Sequence, residues 1–212
     1  MQPSLILWDW DNTLVDTFEA IFTAQNVMRA FYDMPPWTKE QSKQAMNTSG
    51  QTLIQDLVGP QKAVEAQRIF LKAYADFASH IQLKPGAFEI LTYTHEKGFI
   101  NVLASNKVSD LLQNEARLLN VTPFFQRIIG AEEAFQDKPS HFFTDKAIEG
   151  FTFKRLICIG DGYSDMKMAE NYSDAIGILV GTNPADTEFQ SVSVDYACST
   201  LYELTNILEG LK

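Results

Sequence analysis

LILWDWDNTLVDT, residues 5–17, places Asp9 and Asp11 two positions apart, directly after a short apolar run. An apolar run of this length that is bounded by polar residues predicts a buried strand. Two carboxylates at the end of a buried strand repel each other, and the arrangement is costly unless a cation or a lysine neutralises it. The stretch therefore predicts a strand that ends at a site for positive charge.

The residues that follow divide into a helical part and an alternating part. Helical spacing of apolar residues, broken by MPPW and NTSG, extends over residues 16–84. From residue 85 onward, strand-like runs such as FINVLAS and RLICIG alternate with helical segments. This alternation predicts parallel βαβ units and hence a three-layer α/β/α core with a parallel sheet. We expect a Rossmann-like core of residues 1–15 and 85–212, with residues 16–84 inserted as an all-helical cap.

Composition excludes several classes of protein. The 212 residues are 45% hydrophobic and 21% charged, as is usual for a soluble globular protein. Because 27 acidic residues outnumber 17 basic ones, we expect no nucleic-acid partner. No apolar stretch approaches membrane-spanning length, and the first residues do not resemble a signal peptide, so we expect no membrane association and a cytoplasmic location. Cys158 and Cys198 are interpreted as free thiols of a reducing compartment.

Polar residues follow several of the predicted strands. A single Asp in such a place is usually a helix cap or a turn residue, and a single lysine there is usually a surface residue. However, the carboxyl ends of parallel strands meet at the same edge of a sheet, where ligands bind. Together these residues predict one polar site at that edge; besides Asp9 and Asp11, they are Ser105, Asn106, Lys138, Asp161 and Asp165.

Four segments of the chain resemble the motifs of the haloacid dehalogenase superfamily. DWDNT is similar to its DxDxT motif, LASN to its second motif, DKPS to the segment with its lysine, and IGDGYSD to its GDxxxD motif. The four occur in the family's order and extend over most of the chain. A helical cap after the first motif resembles the branch that includes phosphoglycolate phosphatases and β-phosphoglucomutases.

The resemblance implies roles for the catalytic residues. Asp9 would be the nucleophile that forms an aspartyl-phosphate, and Asp11 the general acid and base. Ser105 and Lys138 would bind the phosphoryl oxygens. The implied cofactor is Mg²⁺, which prefers oxygen ligands. Its ligands would be the Asp9 carboxylate, the Asp11 backbone carbonyl and Asp161, with Asp165 acting directly, through water or by holding Lys138.

Further binding residues follow from the same resemblance. The backbone N–H of Asn106 would be an additional phosphate donor, and Thr13 would position the loop after Asp9. In the cap, the small polar break at residues 47–52 suggests Thr48, Ser49 and Gly50 as substrate-binding residues, although a plain helix–helix turn explains it equally well.

Two residues of the first motif depart from the usual family pattern. Asn12 replaces the frequent Gly, and we expect the turn to persist because Asn tolerates left-handed backbone angles. Trp10, between the two carboxylates, is in a position to narrow the pocket.

The sequence leaves three functions open. The first is a Mg²⁺-dependent phosphatase that acts on a small phosphorylated metabolite, such as phosphoglycolate, a sugar phosphate or a nucleotide. The second is a phosphomutase, which shares the core residues. The third is a catalytically silent module that binds a phosphorylated metabolite or another protein. Asp11 argues against a dehalogenase, because the dehalogenases of the family that this chain resembles lack a carboxylate at the matching position.

Overall fold

The computed structural model of the protein describes residues 2–46, 48–77 and 80–211. The chain forms two compact units. The first combines Met1–Val15 with Leu83–Lys212, and the second consists of Asp16–Gln82.

The first unit contains a six-stranded sheet in which every neighbouring pair of strands is parallel. Its strand order is β5-β4-β1-β6-β7-β8, so the first strand lies in the middle of the sheet. The strands are β1 (Ser4–Trp8), β4 (Ile100–Ala104), β5 (Arg127–Ile129), β6 (Arg155–Gly160), β7 (Ile176–Val180) and β8 (Tyr196–Cys198). A second, two-stranded sheet pairs β2 (Val15–Asp16) with β3 (Gln82–Leu83).

Helices of the first unit alternate with these strands, which confirms the predicted α/β class. One face of the sheet packs against two of the helices, with Leu5 and Leu7 of β1 in the same buried cluster as Phe143, Ala147 and Met168. All five residues of β1 are buried, as expected for a central strand of a covered parallel sheet. The helices are α5 (Ala87–Glu96), α6 (Ser109–Leu118), α7 (His141–Ile148), α8 (Tyr163–Ala169) and α9 (Leu204–Gly210).

The described residues of the second unit form four α-helices. Met28, Ile54 and Ala66 form its buried core. Local signals set the helix ends: Thr38 forms a capping box with Gln41, and Pro60 occupies the first turn of its helix. The helices are α1 (Phe18–Phe31), α2 (Lys39–Ala45), α3 (Gly50–Val58) and α4 (Pro60–Ala75).

Three short strands were not predicted from the sequence. β2 and β3 have two residues each and lie at the two ends of the segment that we expected to be entirely helical. β8 has three residues, of which two are exposed. Runs this short contain no measurable alternation, so only their pairing partners define them as strands. Among the described residues, no helix is long and apolar enough to cross a membrane.

Candidate active site

The register of the central strands places the predicted site residues side by side. Trp8, the last residue of β1, pairs with Leu103 of β4 and with Ile159 of β6. Asp9 follows β1 directly, and its N–H donates to the carbonyl of Ile159 at 2.9 Å. Ser105 and Asp161 directly follow β4 and β6. Three adjacent strands therefore end in residues that the sequence assigned to the site.

Lys138 lies between two carboxylates. Its Nζ is 2.8 Å from Oδ1 of Asp9 and 2.8 Å from Oδ1 of Asp165, and its side chain is 1% exposed. Burial by itself lowers the pKa of Lys138, but the charges of Asp165 and Asp9 outweigh this effect and raise it above the usual value. Lys138 is therefore a buried cation that bridges the ends of β1 and α8.

Asp9 is held at both carboxylate oxygens. Lys138 donates to Oδ1, and the hydroxyl of the fully buried Thr13 lies 2.8 Å from Oδ2. The same hydroxyl is 3.4 Å from Oδ1 of Asp161. Burial and the charge of Asp165 raise the pKa of Asp9 to about 7, although Lys138 acts in the opposite direction. A cation beside Asp9 would favour the ionised form that a nucleophile requires.

Three carboxylates converge in a way that suits a hard cation. One oxygen from each of Asp9, Asp161 and Asp165 lies within 4.8 Å of the other two. The donor set is entirely oxygen, which Mg²⁺ prefers over softer ligands. These residues therefore fit the metal that the sequence implied.

The Asp165 carboxylate binds a backbone N–H as well as Lys138. Its Oδ1 accepts from Lys138, and its Oδ2 accepts the N–H of Gly162 at 3.4 Å, at the start of α8. Of the three roles left open for Asp165, the structure shows the one in which it holds Lys138. A Cβ atom at Gly160 would lie 2.1 Å from the Asp165 carboxylate, so the last position of β6 must be glycine for Asp165 to occupy this place.

The turn after Asp11 adopts the backbone expected of it. Asn12 has a φ of 61°, in the left-handed region, which confirms that Asn replaces Gly there without loss of the turn. The Nζ of Lys84 donates to the Asn12 carbonyl at 2.6 Å, and the Lys84 N–H donates to the Leu14 carbonyl at 2.9 Å. Lys84 was not singled out from the sequence, where it is one lysine before a Pro-Gly turn.

Asn106 contacts the lysine segment through its side chain. Its Oδ1 accepts the N–H of Lys138 at 2.8 Å, and its Nδ2 donates to the Lys138 carbonyl at 3.3 Å. From the sequence we expected only the backbone N–H of Asn106 to be used. Ser105 is 2% exposed, and its hydroxyl accepts the N–H of Lys107 at 3.1 Å.

A second buried lysine lies beside Asp11 and was missed by the sequence analysis. The Nζ of Lys107 is 2.7 Å from Oδ1 of Asp11 and 2.7 Å from Oε2 of Glu115. Trp10 is fully buried, and its Nε1 donates to the same Oε2 at 2.7 Å. Trp10 therefore belongs to the core, and the expectation that it narrows the pocket is wrong. The indole turns inward because a buried carboxylate accepts its N–H.

The three cap residues suggested from the sequence lie at the start of α3. Ser49 is the N-cap of this helix: its hydroxyl accepts the N–H of Thr52 at 3.3 Å, and its side chain is buried. Thr48 and Gly50 flank it and are exposed. A capping role accounts for Ser49, while substrate binding by Thr48, Ser49 and Gly50 stays a prediction.

The chain is similar to known proteins over most of its length. Residues 6–174 match the family model described as "Haloacid dehalogenase-like hydrolase". A phosphoglycolate phosphatase of Caulobacter vibrioides is 26% identical over 205 residues, which cover 92% of this chain and 86% of that protein. Phosphoglycolate phosphatase 1 of Pseudomonas aeruginosa is 25% identical over 180 residues, which cover 79% of this chain but 66% of that protein.

The fold is also shared with a protein of known structure. A hydrolase from Pseudomonas syringae superimposes with a TM-score of 0.85 at 18% identity, over 100% of this chain and 99% of that one.

Proposed function

The chain belongs to the haloacid dehalogenase-like hydrolase family, and on this basis we propose that it is a Mg²⁺-dependent phosphatase that hydrolyses a small phosphate monoester. The observation on which the proposal depends is the pair of contacts that Lys138 makes with Asp9, at the end of the central strand, and with Asp165 of α8. A nucleophilic carboxylate, a neighbouring cation and a set of oxygen ligands are the parts that phosphoryl transfer through an aspartate requires.

In the first step, a carboxylate oxygen of Asp9 attacks phosphorus, and the bond from phosphorus to the ester oxygen breaks. Asp11 gives its proton to that departing oxygen, so the alcohol leaves neutral. Lys138 stabilises the charge that spreads over the phosphoryl oxygens, and the hydroxyl of Ser105 donates to them.

In the second step, water attacks the phosphorus of the aspartyl-phosphate. Asp11 takes the proton of the water, the bond from phosphorus to Asp9 breaks, and inorganic phosphate leaves. Lys138 and Thr13 hold the Asp9 carboxylate at its two oxygens, so the nucleophile is oriented before substrate arrives.

Mg²⁺ would be held by Asp9, by the backbone carbonyl of Asp11 and by Asp161, with Asp165 acting directly, through water or by holding Lys138. When bound, it supplies positive charge that attracts the phosphate and lowers the repulsion between phosphate and Asp9. The three converging carboxylates support this assignment. The backbone N–H of Asn106 and Thr13 are the other residues that we propose for the phosphoryl group. Substrate binding by Thr48, Ser49 and Gly50 is a further part of the proposal.

The substrate class follows from charge as well as from chemistry. Since the chain has a formal net charge of −10, an anionic substrate needs the local positive charge of Lys138 and of the cation. The curated relatives reported above are named phosphoglycolate phosphatases, which makes 2-phosphoglycolate the first ester to test.

The test is phosphate release from a panel of esters that includes 2-phosphoglycolate, hexose phosphates, nucleoside monophosphates and p-nitrophenyl phosphate. We expect release with Mg²⁺ and none with excess EDTA. Asp9→Asn is the matched control, because it keeps the size of the side chain and removes the nucleophile. Isomerisation of a hexose phosphate without release would indicate a phosphomutase, and no reaction with any ester would contradict the proposal.

A further inference from the structure

We infer that Lys107 is a positioning residue that holds the Asp11 carboxylate in place for acid–base chemistry. The inference rests on the proposed function, in which Asp11 moves the proton. Its basis is geometric: Lys107 Nζ lies 2.7 Å from Asp11 and 2.7 Å from Glu115, so the ammonium joins the two carboxylates.

Burial separates Lys107 from the reacting centre. The side chains of Lys107 and Glu115 are 6% and 5% exposed, whereas that of Asp11 is 17% exposed. Lys107 therefore contacts Asp11 from the protein interior, and Asp11 is the member of the group that reaches towards solvent. A buried ion pair seldom stabilises a fold more than apolar residues of the same size. Stability alone is a poor explanation for charges at this position, and orientation of Asp11 is a better one.

Glu115 restrains the group from a rigid element. It lies in α6 and accepts Lys107 and the indole N–H of Trp10 at one oxygen, Oε2. Trp10 is the residue immediately before Asp11. One helical carboxylate thus orients Asp11 in two ways, through Lys107 at its side chain and through Trp10 at its backbone. A lysine side chain is flexible, and its second ion pair restricts it to one direction.

The buried lysines Lys138 and Lys107 form ion pairs with different carboxylates. Lys138 pairs with Asp9 and Asp165, which the proposed mechanism assigns to attack and to metal binding. Lys107 pairs with Asp11, which the mechanism assigns to proton transfer. Loss of Lys107 should therefore impair proton transfer specifically, while attack by Asp9 continues.

Leaving groups distinguish this role from a general structural one. A poor leaving group, such as the alkoxide of an alkyl phosphate, needs a proton from Asp11 as it departs, while p-nitrophenolate departs with little assistance. kcat/KM reports the step in which Asp9 is phosphorylated, because that step releases the alcohol. Misplacement of Asp11 should lower kcat/KM for the alkyl ester more than for the aryl ester.

The experiment compares kcat/KM of Lys107→Met for the best alkyl phosphate of the panel and for p-nitrophenyl phosphate. We expect a loss of about 10²-fold or more for the alkyl ester, the usual contribution of acid–base catalysis, and less than about tenfold for the aryl ester. Glu115→Gln, which loosens Lys107 without touching Asp11, should show the same selectivity with smaller losses. Lys146→Met is the control, since Lys146 forms an exposed ion pair with Glu149 and should leave both values unchanged.

A crystal structure of Lys107→Met provides a readout that is independent of turnover. We expect the Asp11 carboxylate to leave the place it occupies beside Lys107. Equal losses for the two esters, or an unmoved Asp11 carboxylate, would overturn the inference alone. Wild-type protein that hydrolyses neither ester would overturn the proposed function and the inference together.

Discussion

The side chain of Asn106 forms two hydrogen bonds with the backbone of Lys138: its Oδ1 accepts the lysine N–H at 2.8 Å, and its Nδ2 donates to the lysine carbonyl at 3.3 Å. Asn106 follows β4 by two residues, while Lys138 lies in the loop before α7. The pair of hydrogen bonds therefore ties a loop to the end of a sheet strand. It places the backbone from which the Lys138 side chain extends to Asp9.

Removing these two hydrogen bonds should displace the Lys138 side chain. We expect Asn106→Ala to lower kcat by between about tenfold and 10²-fold, as small displacements of catalytic groups do. It should lower the free energy of unfolding by about 1–3 kcal/mol, because buried peptide groups lose their partners. Asn106→Asp keeps the acceptor but not the donor, so its kcat and its free energy of unfolding should lie between those of the alanine variant and of wild type. Steady-state kinetics and urea unfolding measure both effects, and wild-type kcat in the alanine variant would contradict this account.

Lys138→Ala should damage turnover and stability together. We expect kcat to fall by about 10²–10³-fold, the cost of one group that stabilises developing charge. In EDTA the free energy of unfolding should fall by about 3–5 kcal/mol, because Asp9 and Asp165 lose the cation between them. Excess Mg²⁺ should restore part of the stability but not the turnover. A loss of kcat smaller than tenfold would show that Lys138 has a structural role only.

Asp9→Asn should abolish turnover and stabilise the metal-free protein. The pKa of Asp9 is raised from 3.8 to about 7 in the folded state, so the folded protein holds the proton more tightly than the unfolded chain. Ionised Asp9 therefore lowers stability above pH 7, and this penalty disappears as the pH falls towards 4. We expect Asn to raise the free energy of unfolding in EDTA by on the order of 2 kcal/mol at pH 8.

The increase in the free energy of unfolding that Asp9→Asn causes should become smaller as the pH falls from 7 to 4. Thermal unfolding in EDTA across this range measures it. With Mg²⁺ present the order should reverse, because wild type gains about 2.7 kcal/mol when the metal is at 100 times its Kd. A variant that is less stable than wild type in EDTA at pH 8 would refute the assigned sign.

Gly160→Ala should displace Asp165. Its Cβ would lie 2.1 Å from the Asp165 carboxylate, so the carboxylate must leave its contact with Lys138. We expect kcat to fall by at least about tenfold, the lower part of the range for one misplaced catalytic group. Gly177→Ala is the matched control, because the nearest atom to its Cβ would be the flexible Sδ of Met166 at 3.1 Å, and the next two atoms, in Ala169 and Ser193, would lie at 3.5 and 3.6 Å. Equal activity of the two variants would argue against the positioning role of Asp165.

The outline of the fold was predictable because its signals are local. The apolar run before Asp9 predicted a buried strand, and β1 is indeed buried throughout. Alternation of strands and helices after residue 85 predicted the parallel sheet, since short connections leave few other arrangements. The two-residue strands β2 and β3 were missed because their only distinguishing property is the pairing of residues far apart in the chain.

The candidate site was predictable only in part. Strand ends and motif resemblance predicted six of its residues: Asp9, Asp11, Ser105, Lys138, Asp161 and Asp165. The strands β1, β4 and β6 do end side by side. The side-chain use of Asn106 and the burial of Trp10 were not expected. Both depend on partners supplied by folding: Lys138 for Asn106, and Glu115 for Trp10, 105 positions away.

The sequence by itself determined which chemical groups this protein can bring to a reaction, because the spacing of Asp9 and Asp11 after a strand and the order of the later motifs are properties of the chain. Only the tertiary structure decided how those charges are shared, with Lys138 between Asp9 and Asp165 and Lys107 between Asp11 and Glu115. The reason is physical: electrostatic pairing depends on distance and on exclusion of water, and both are set when distant segments pack together.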